Sequence, residues 1–283
     1  MEVETIKLLM ERTSGSNTLL PTIEVLPSKL YRYSEVMIIG FVGMPFSSKT
    51  SLTRFLKDRL SQVSNLDYVE IPDVTTTDEF LDTKHLGSRE RLTLVDHAIQ
   101  YFKVLRFFEG LSQVNKFFLK KVEERDEKKR ILYVADRGLD ILPWERAIFT
   151  EQYKDTLGEE VLDLEYIFRP FLHPDFDGGF IFLSVLSLLS LHFFDVIILC
   201  DNTLNRAMDF RETNGLPREG MVVNPTIWPI LHRGYEWFFE HVVPWMMQHY
   251  GTGFKVVHAD RPIPEIGEEV YQYLEKVIFG TRF

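Results

Sequence analysis

The sequence predicts an α/β fold: a three-layer sandwich in which a mainly parallel five-stranded sheet carries helices on both faces. Two observations lead there. Apolar, strand-like runs at Met37–Gly43, Asp67–Val74, Ile131–Gly138, Val196–Cys200 and Phe254–His258 alternate with longer stretches whose apolar residues recur at helical spacing. With 283 residues and 45% hydrophobic content, the chain can also bury one substantial core, so we expect a single domain with insertions.

Charge narrows the partners. Lysine and arginine total 32 against 42 acidic residues, a net charge of −10, which disfavours a broad, sequence-independent grip on nucleic acid without excluding a local basic groove. A small anion held by a few arginines is the default partner. The single cysteine, Cys200, lies in an apolar run and reads as a buried core thiol, so neither a disulfide framework nor a cysteine-based zinc site is expected. Met1-Glu2-Val3-Glu4 lacks the basic and apolar regions of an export signal, and a cytoplasmic location is the expectation. Residues 1–34 mix charge, Ser-Gly-Ser and prolines and read as an N-terminal extension with one short strand at Thr22–Leu26; 35–283 form the domain.

The first strand of the domain leads into Gly43, Met44, Pro45, Phe46, Ser47, Ser48, Lys49, Thr50 and Ser51, and the amphipathic run Leu52, Phe55, Leu56, Leu60 follows. This is the order of a phosphate-binding loop, G-x-x-x-x-G-K-S/T. In that pattern successive backbone N–H groups wrap the phosphates, the lysine reaches the outer ones, and the hydroxyl ligates Mg²⁺ at a helix N-terminus. Gly43, Lys49 and Thr50 fit it. Ser48 stands where the second glycine belongs, tolerable if its φ/ψ are helical and costly if φ is positive. An ordinary strand-to-helix turn is the plain alternative.

The second strand ends in the carboxylates Glu70 and Asp73. Because C-terminal strand ends face the ligand crevice of a parallel sheet, either can serve as a base; solvated turn residues are the alternative. From Arg89 to Val122, Leu92, Val95, Ile99, Phe102, Leu105 and Phe108 predict one long helix or a helix pair. The next strand delivers Asp136 and Arg137, and an aspartate in that position is the usual partner of a phosphate loop's Mg²⁺, although a structural ion pair would look the same. Residues 178–200 are nearly uncharged, yet serine and histidine interruptions and the Phe194-Asp195 corner read as a buried helix and strand rather than a membrane span. Asp201 to Asn224 then collects Arg206, Arg211 and Arg218 among glycine, proline and asparagine. That combination suits a lid closing on phosphates, with solvated arginines as the alternative. An aromatic-rich helix from Trp228 to Tyr250, the last strand, and a closing helix from Glu265 to Ile278 complete the chain. The histidines show no metal-site spacing.

Taken together, these residues resemble the deoxynucleoside kinase and thymidylate kinase group of P-loop kinases, over roughly residues 36 to 279. Four features carry the resemblance: the phosphate loop; Tyr68-Val69-Glu70-Ile71-Pro72, similar to a strand ending in Glu-Pro; Asp136-Arg137-Gly138 followed by Glu145-Arg146-Ala147-Ile148-Phe149; and Arg206 to Arg218 followed by Leu231-His232 and Glu236-Trp237. Gln100 adds a weaker echo. The resemblance implies a P-loop NTPase fold, an ATP and Mg²⁺ requirement, and phosphoryl transfer to a nucleoside or nucleotide. Lys49, Arg137, Arg211 and Arg218 would neutralise charge, Thr50 and Asp136 would hold Mg²⁺, and Glu70 or Asp73 would take the acceptor's proton. Arg206 would join the loop in holding ATP, and Gln100, Arg106 and Arg146 would hold the acceptor. Two other functions stay open: a kinase acting on a nucleotide within a larger molecule, and a degenerate loop serving as a nucleotide-binding scaffold, for which Ser48 argues. A regulatory GTPase is disfavoured because no Asn-Lys-x-Asp motif occurs. Nothing in the sequence opposes a homodimer.

Overall fold

The computed structural model describes residues 19–28, 36–71, 130–136, 140, 142–143, 146–147, 191, 193–213 and 228–280. Of the candidate residues, Asp73, Gln100, Arg106, Arg137 and Arg218 lie outside these, as do the stretch from Arg89 to Val122 and all of 178–190. Arg211 lies inside a described helix, without a description of its side chain.

In chain order the described elements are β1 (Glu24–Val25), β2 (Val36–Gly43), α1 (Lys49–Leu60), β3 (Leu66–Ile71), β4 (Arg130–Asp136), β5 (Val196–Asp201), α2 (Leu204–Thr213), α3 (Trp228–Trp237), a π-helical stretch (Phe238–Val242), α4 (Val243–Tyr250), β6 (Gly253–His258) and α5 (Ile263–Phe279). The strands form one sheet in the order β1-β6-β5-β2-β4-β3. Five of them run parallel, as the sequence predicts. The sixth, β1, adds to the edge antiparallel, pairing Glu24 with Lys255 and Val25 with Phe254. The expected five-stranded sheet is thus six-stranded, because the short strand of the N-terminal extension caps an edge that would otherwise expose unpaired backbone groups.

Alternation along the strands decides what each face carries. Met37, Ile39 and Phe41 of β2, with Leu132 and Val134 of β4 and Val196, Ile198 and Cys200 of β5, pack under α1 and α5. The intervening residues, Val42, Ile131, Tyr133, Ile197 and Leu199, meet Trp228, Leu231, Phe238, Phe239 and Met246 of the α3–α4 layer. Cys200 is fully buried, and burial raises its thiol pKa.

The predicted helix from Trp228 to Tyr250 is continuous but not uniform. Pro244 lies in the first turn of α4, where its missing N–H and its ring would break an α-helical ladder. The π-helical stretch just before it widens the turn and absorbs the mismatch. No helix among the described residues is long and apolar enough to cross a membrane.

Candidate active site

The loop between β2 and α1 lies at the C-terminal edge of the sheet. Gly43 is required there by contact, since a Cβ would sit 2.0 Å from the Cys200 carbonyl oxygen on β5. Ser48 adopts φ 65°, ψ 13°, the left-handed region. A non-glycine residue there costs about 1–2 kcal/mol. Phe46 is left-handed as well, at φ 55°. The loop therefore keeps the glycine-type backbone geometry although serine stands at the second glycine position. Ser48 gives α1 no side-chain cap, and the first turn holds no acidic residue. The leading N–H groups of α1, with the positive end of its dipole, are thus left to an anion.

Lys49, the first residue of α1, is only 5% exposed. Its ammonium donates to the Gly43 carbonyl, to the Met44 carbonyl at 2.9 Å and to Ser47 Oγ at 3.3 Å. Asp140 Oδ2 stands 3.7 Å away. The lysine is folded back along the loop, its ammonium held on the carbonyls of Gly43 and Met44.

Parity along β4 sends Asp136 to the α1 face with Leu132 and Val134, and there Thr50 Oγ1 donates to its Oδ2 at 2.7 Å. Its other oxygen, Oδ1, is buried and has no hydrogen-bond partner among the described residues. A buried carboxylate oxygen without a donor is costly, and next to a helix-start hydroxyl it belongs to a hard-oxygen donor set of the kind Mg²⁺ takes. The residues present fit the metal that the motif implies.

Glu70 shares the parity of Tyr68 and also faces α1. Its carboxylate is 3.4 Å from Lys57 Nζ and partly exposed. Tyr68 donates its O–H to the Thr53 carbonyl at 3.0 Å. Burial, then the charges of Glu70 and Asp136, raise the Tyr68 pKa, so one phenol lies within the field of both acids. Arg206 is exposed on α2, a helix tied to the loop by the ring pair Phe46–Phe210 at 5.4 Å between centroids and by Asn202, which donates to the Phe46 carbonyl at 3.1 Å. Arg146 is buried, with its guanidinium 5.3 Å from the Trp237 ring centre. Next to it Gly234 lets α3 approach so closely that a Cβ would meet the Pro143 carbonyl at 2.1 Å.

Two residues at the site escaped the sequence. Asp140 is 3% exposed and accepts from the Gly43 N–H at 2.7 Å and from the Tyr235 hydroxyl at 2.9 Å. The only signal was a second acid four residues beyond Asp136. Tyr235 had none, because an aromatic on a core-facing helix looks like packing. On the same helix His232 lies 3.3 Å from Glu236. Burial opposes its charge, but the hydrogen bond and charge of Glu236, with the charge of Asp201, outweigh that and raise its pKa.

No family model and no curated protein matches the sequence. Among solved structures, the chain is similar to a deoxyadenosine kinase from M. mycoides with bound dCTP, at 15% identity and a TM-score of 0.49, over 85% of this chain and 100% of that one. It is also similar to a thymidylate kinase from Candida albicans, at 13% identity and a TM-score of 0.45, over 85% and 91%. A third is a thymidylate kinase from Ehrlichia chaffeensis, at 16% identity and a TM-score of 0.40, over 84% and 98%.

Proposed function

We propose that the chain transfers the terminal phosphoryl group of ATP to a nucleoside or nucleotide-like acceptor. The observation that carries this is the meeting of Lys49, Thr50 and Asp136: a buried ammonium, a helix-start hydroxyl and a strand-end carboxylate with one oxygen unpaired among the described residues, brought together by two parallel strands and the helix between them. Phosphoryl transfer needs positioning and charge neutralisation more than covalent chemistry from the protein. Backbone N–H groups of the loop and of the first turn of α1 cradle the phosphates, and Lys49 reaches the outer oxygens. Thr50 and Asp136 would hold Mg²⁺, which when bound would supply positive charge against the phosphates. Arg206 adds charge from α2, with Arg211, Arg218 and Arg137 as further donors to the phosphates. Glu70 or Asp73 takes the proton of the attacking group. Gln100, Arg106 and Arg146 hold the acceptor, with Trp237 beneath Arg146 keeping its guanidinium in place.

An ATP-consumption screen over free nucleosides, nucleoside monophosphates and oligonucleotides tests this. Turnover is expected with one of the first two classes. Turnover with oligonucleotides alone would make the chain a kinase of polymers instead. The replacement of the motif's second glycine by Ser48 is the basis of a second reading, a nucleotide-binding scaffold without catalysis. Binding of ATP-Mg²⁺ with no consumption over all three classes would select it.

A further inference from the structure

We propose that Asp140, held in place by Tyr235, is an internal counterion of Lys49 and sets nucleotide affinity by competing with the phosphates for that ammonium. The proposal rests on residues 43–51 being a phosphate loop, and it assigns roles to two residues that the motif does not include.

Three distances carry it. Among the described residues, the Lys49 ammonium donates to the Gly43 and Met44 carbonyls and to Ser47 Oγ, all three neutral. A buried ammonium stripped of water needs a counterion. The Asp140 carboxylate meets that need, but from 3.7 Å, beyond hydrogen-bond range. What keeps it there is visible at its other oxygen, where the Gly43 N–H at 2.7 Å and the Tyr235 O–H at 2.9 Å both donate to Oδ1. Asp140 is therefore anchored by the end of β2 and by α3. It faces Lys49 as a charge contact at 3.7 Å rather than as a hydrogen-bond acceptor.

Two consequences follow. Phosphate oxygens entering the loop can displace the longest of these hydrogen bonds, to Ser47 Oγ at 3.3 Å, while Asp140 stays anchored. They also meet the buried negative charge of Asp140 beside Lys49, so Asp140 lowers the affinity that the site would have without it. Tyr235 moderates this repulsion, because its O–H draws the carboxylate's charge toward α3. Removing the charge and removing the donor must then act in opposite directions, which no purely structural role for the pair would produce.

The test is the affinity of the full chain for ATP-Mg²⁺ and for tripolyphosphate-Mg²⁺, by titration calorimetry, in wild type, Asp140→Asn and Tyr235→Phe. Melting without ligand checks that each variant is folded. In Asp140→Asn the amide oxygen still accepts both hydrogen bonds while the charge is gone, and binding is expected to tighten on the order of tenfold. In Tyr235→Phe the carboxylate loses a donor and turns to Lys49, so binding weakens several-fold. Both shifts should appear equally with tripolyphosphate, since the contact is with phosphate rather than base. Equal or weaker binding by folded Asp140→Asn, against a wild type that binds, overturns the proposal. Equal or tighter binding by Tyr235→Phe overturns it even if Asp140→Asn fails to fold. If neither wild type nor variant binds either ligand, it is the phosphate loop itself that falls.

Discussion

Two lysines of this protein are almost equally buried, Lys49 at 5% exposure and Lys255 at 3%, and their surroundings differ. Lys255, in the middle of β6, makes direct ion pairs with Glu24 of β1 at 2.9 Å and Glu269 of α5 at 3.0 Å, and lies 5.7 Å from the Tyr273 ring centre. Those carboxylates are bound in turn by Lys276 and Arg261. Its charge is consumed by the fold: it fastens the antiparallel strand to the sheet and the sheet to the last helix. Among the described residues, Lys49 donates to neutral acceptors, and the Asp140 carboxylate stands 3.7 Å away. A lysine whose hydrogen bonds are all to carboxylates is a fastening; one balanced from beyond hydrogen-bond distance can still be taken by an incoming anion.

The largest effect expected is at the fastening. Lys255→Ala leaves Glu24 and Glu269 each with one cation instead of two, and should destabilise the fold by about 2–4 kcal/mol, near the lower end of what breaking a buried ion pair costs. Chemical denaturation measures it. A loss below about 0.5 kcal/mol, the level of an ordinary surface change, would mean that the network is a surface feature.

Acid should act on the same region. Burial alone would raise the carboxyl pKa values of Glu24 and Glu269. The hydrogen bonds and charges of Lys276 and Lys255 at Glu24, and of Arg261 and Lys255 at Glu269, outweigh it and lower both. Groups with lowered folded pKa values contribute stability above their unfolded value of about 4.3, and the contribution is lost as pH falls through the folded values. Melting temperature should therefore drop between about pH 5 and about pH 3, and drop less steeply in Lys255→Ala. Parallel profiles in the two proteins would separate the lowered pKa values from Lys255.

A smaller effect, of opposite sign, is expected beside Lys49. Ser48 is left-handed, and Ser48→Gly relieves that strain while adding freedom to the unfolded chain, for a net gain of about 0.5–1 kcal/mol. A loss of stability on that substitution would show that the serine side chain contributes more than its backbone costs.

These two regions also show what a sequence makes legible. The parallel strands, the loop and α1 are written in local patterns: apolar runs, a spacing of Gly43 to Lys49, a helix-start hydroxyl. Asp136 could be read because an acid ending an apolar strand has one usual place, opposite the loop. The Lys255 network could not, since Glu24, Lys255 and Glu269 lie on three elements far apart in sequence and meet only through the register Glu24 to Lys255. Asp140 and Tyr235 were hidden for the same reason. The conformation of Ser48 was posed by the sequence as a choice between helical and positive φ, and only the backbone answers it.

The most direct measurement is the affinity for ATP-Mg²⁺ when Lys49 alone loses its charge. It is best made in the Asp140→Asn background, where Lys49→Met leaves no buried carboxylate without a counterion. With Lys49 the phosphate ligand of the loop, Asp140→Asn binds ATP-Mg²⁺, and adding Lys49→Met weakens binding at least about tenfold, the worth of a charged hydrogen bond, at nearly unchanged melting temperature. Equal affinity in the single and double variants, both folded, would mean that Lys49 is no more available to phosphate than Lys255.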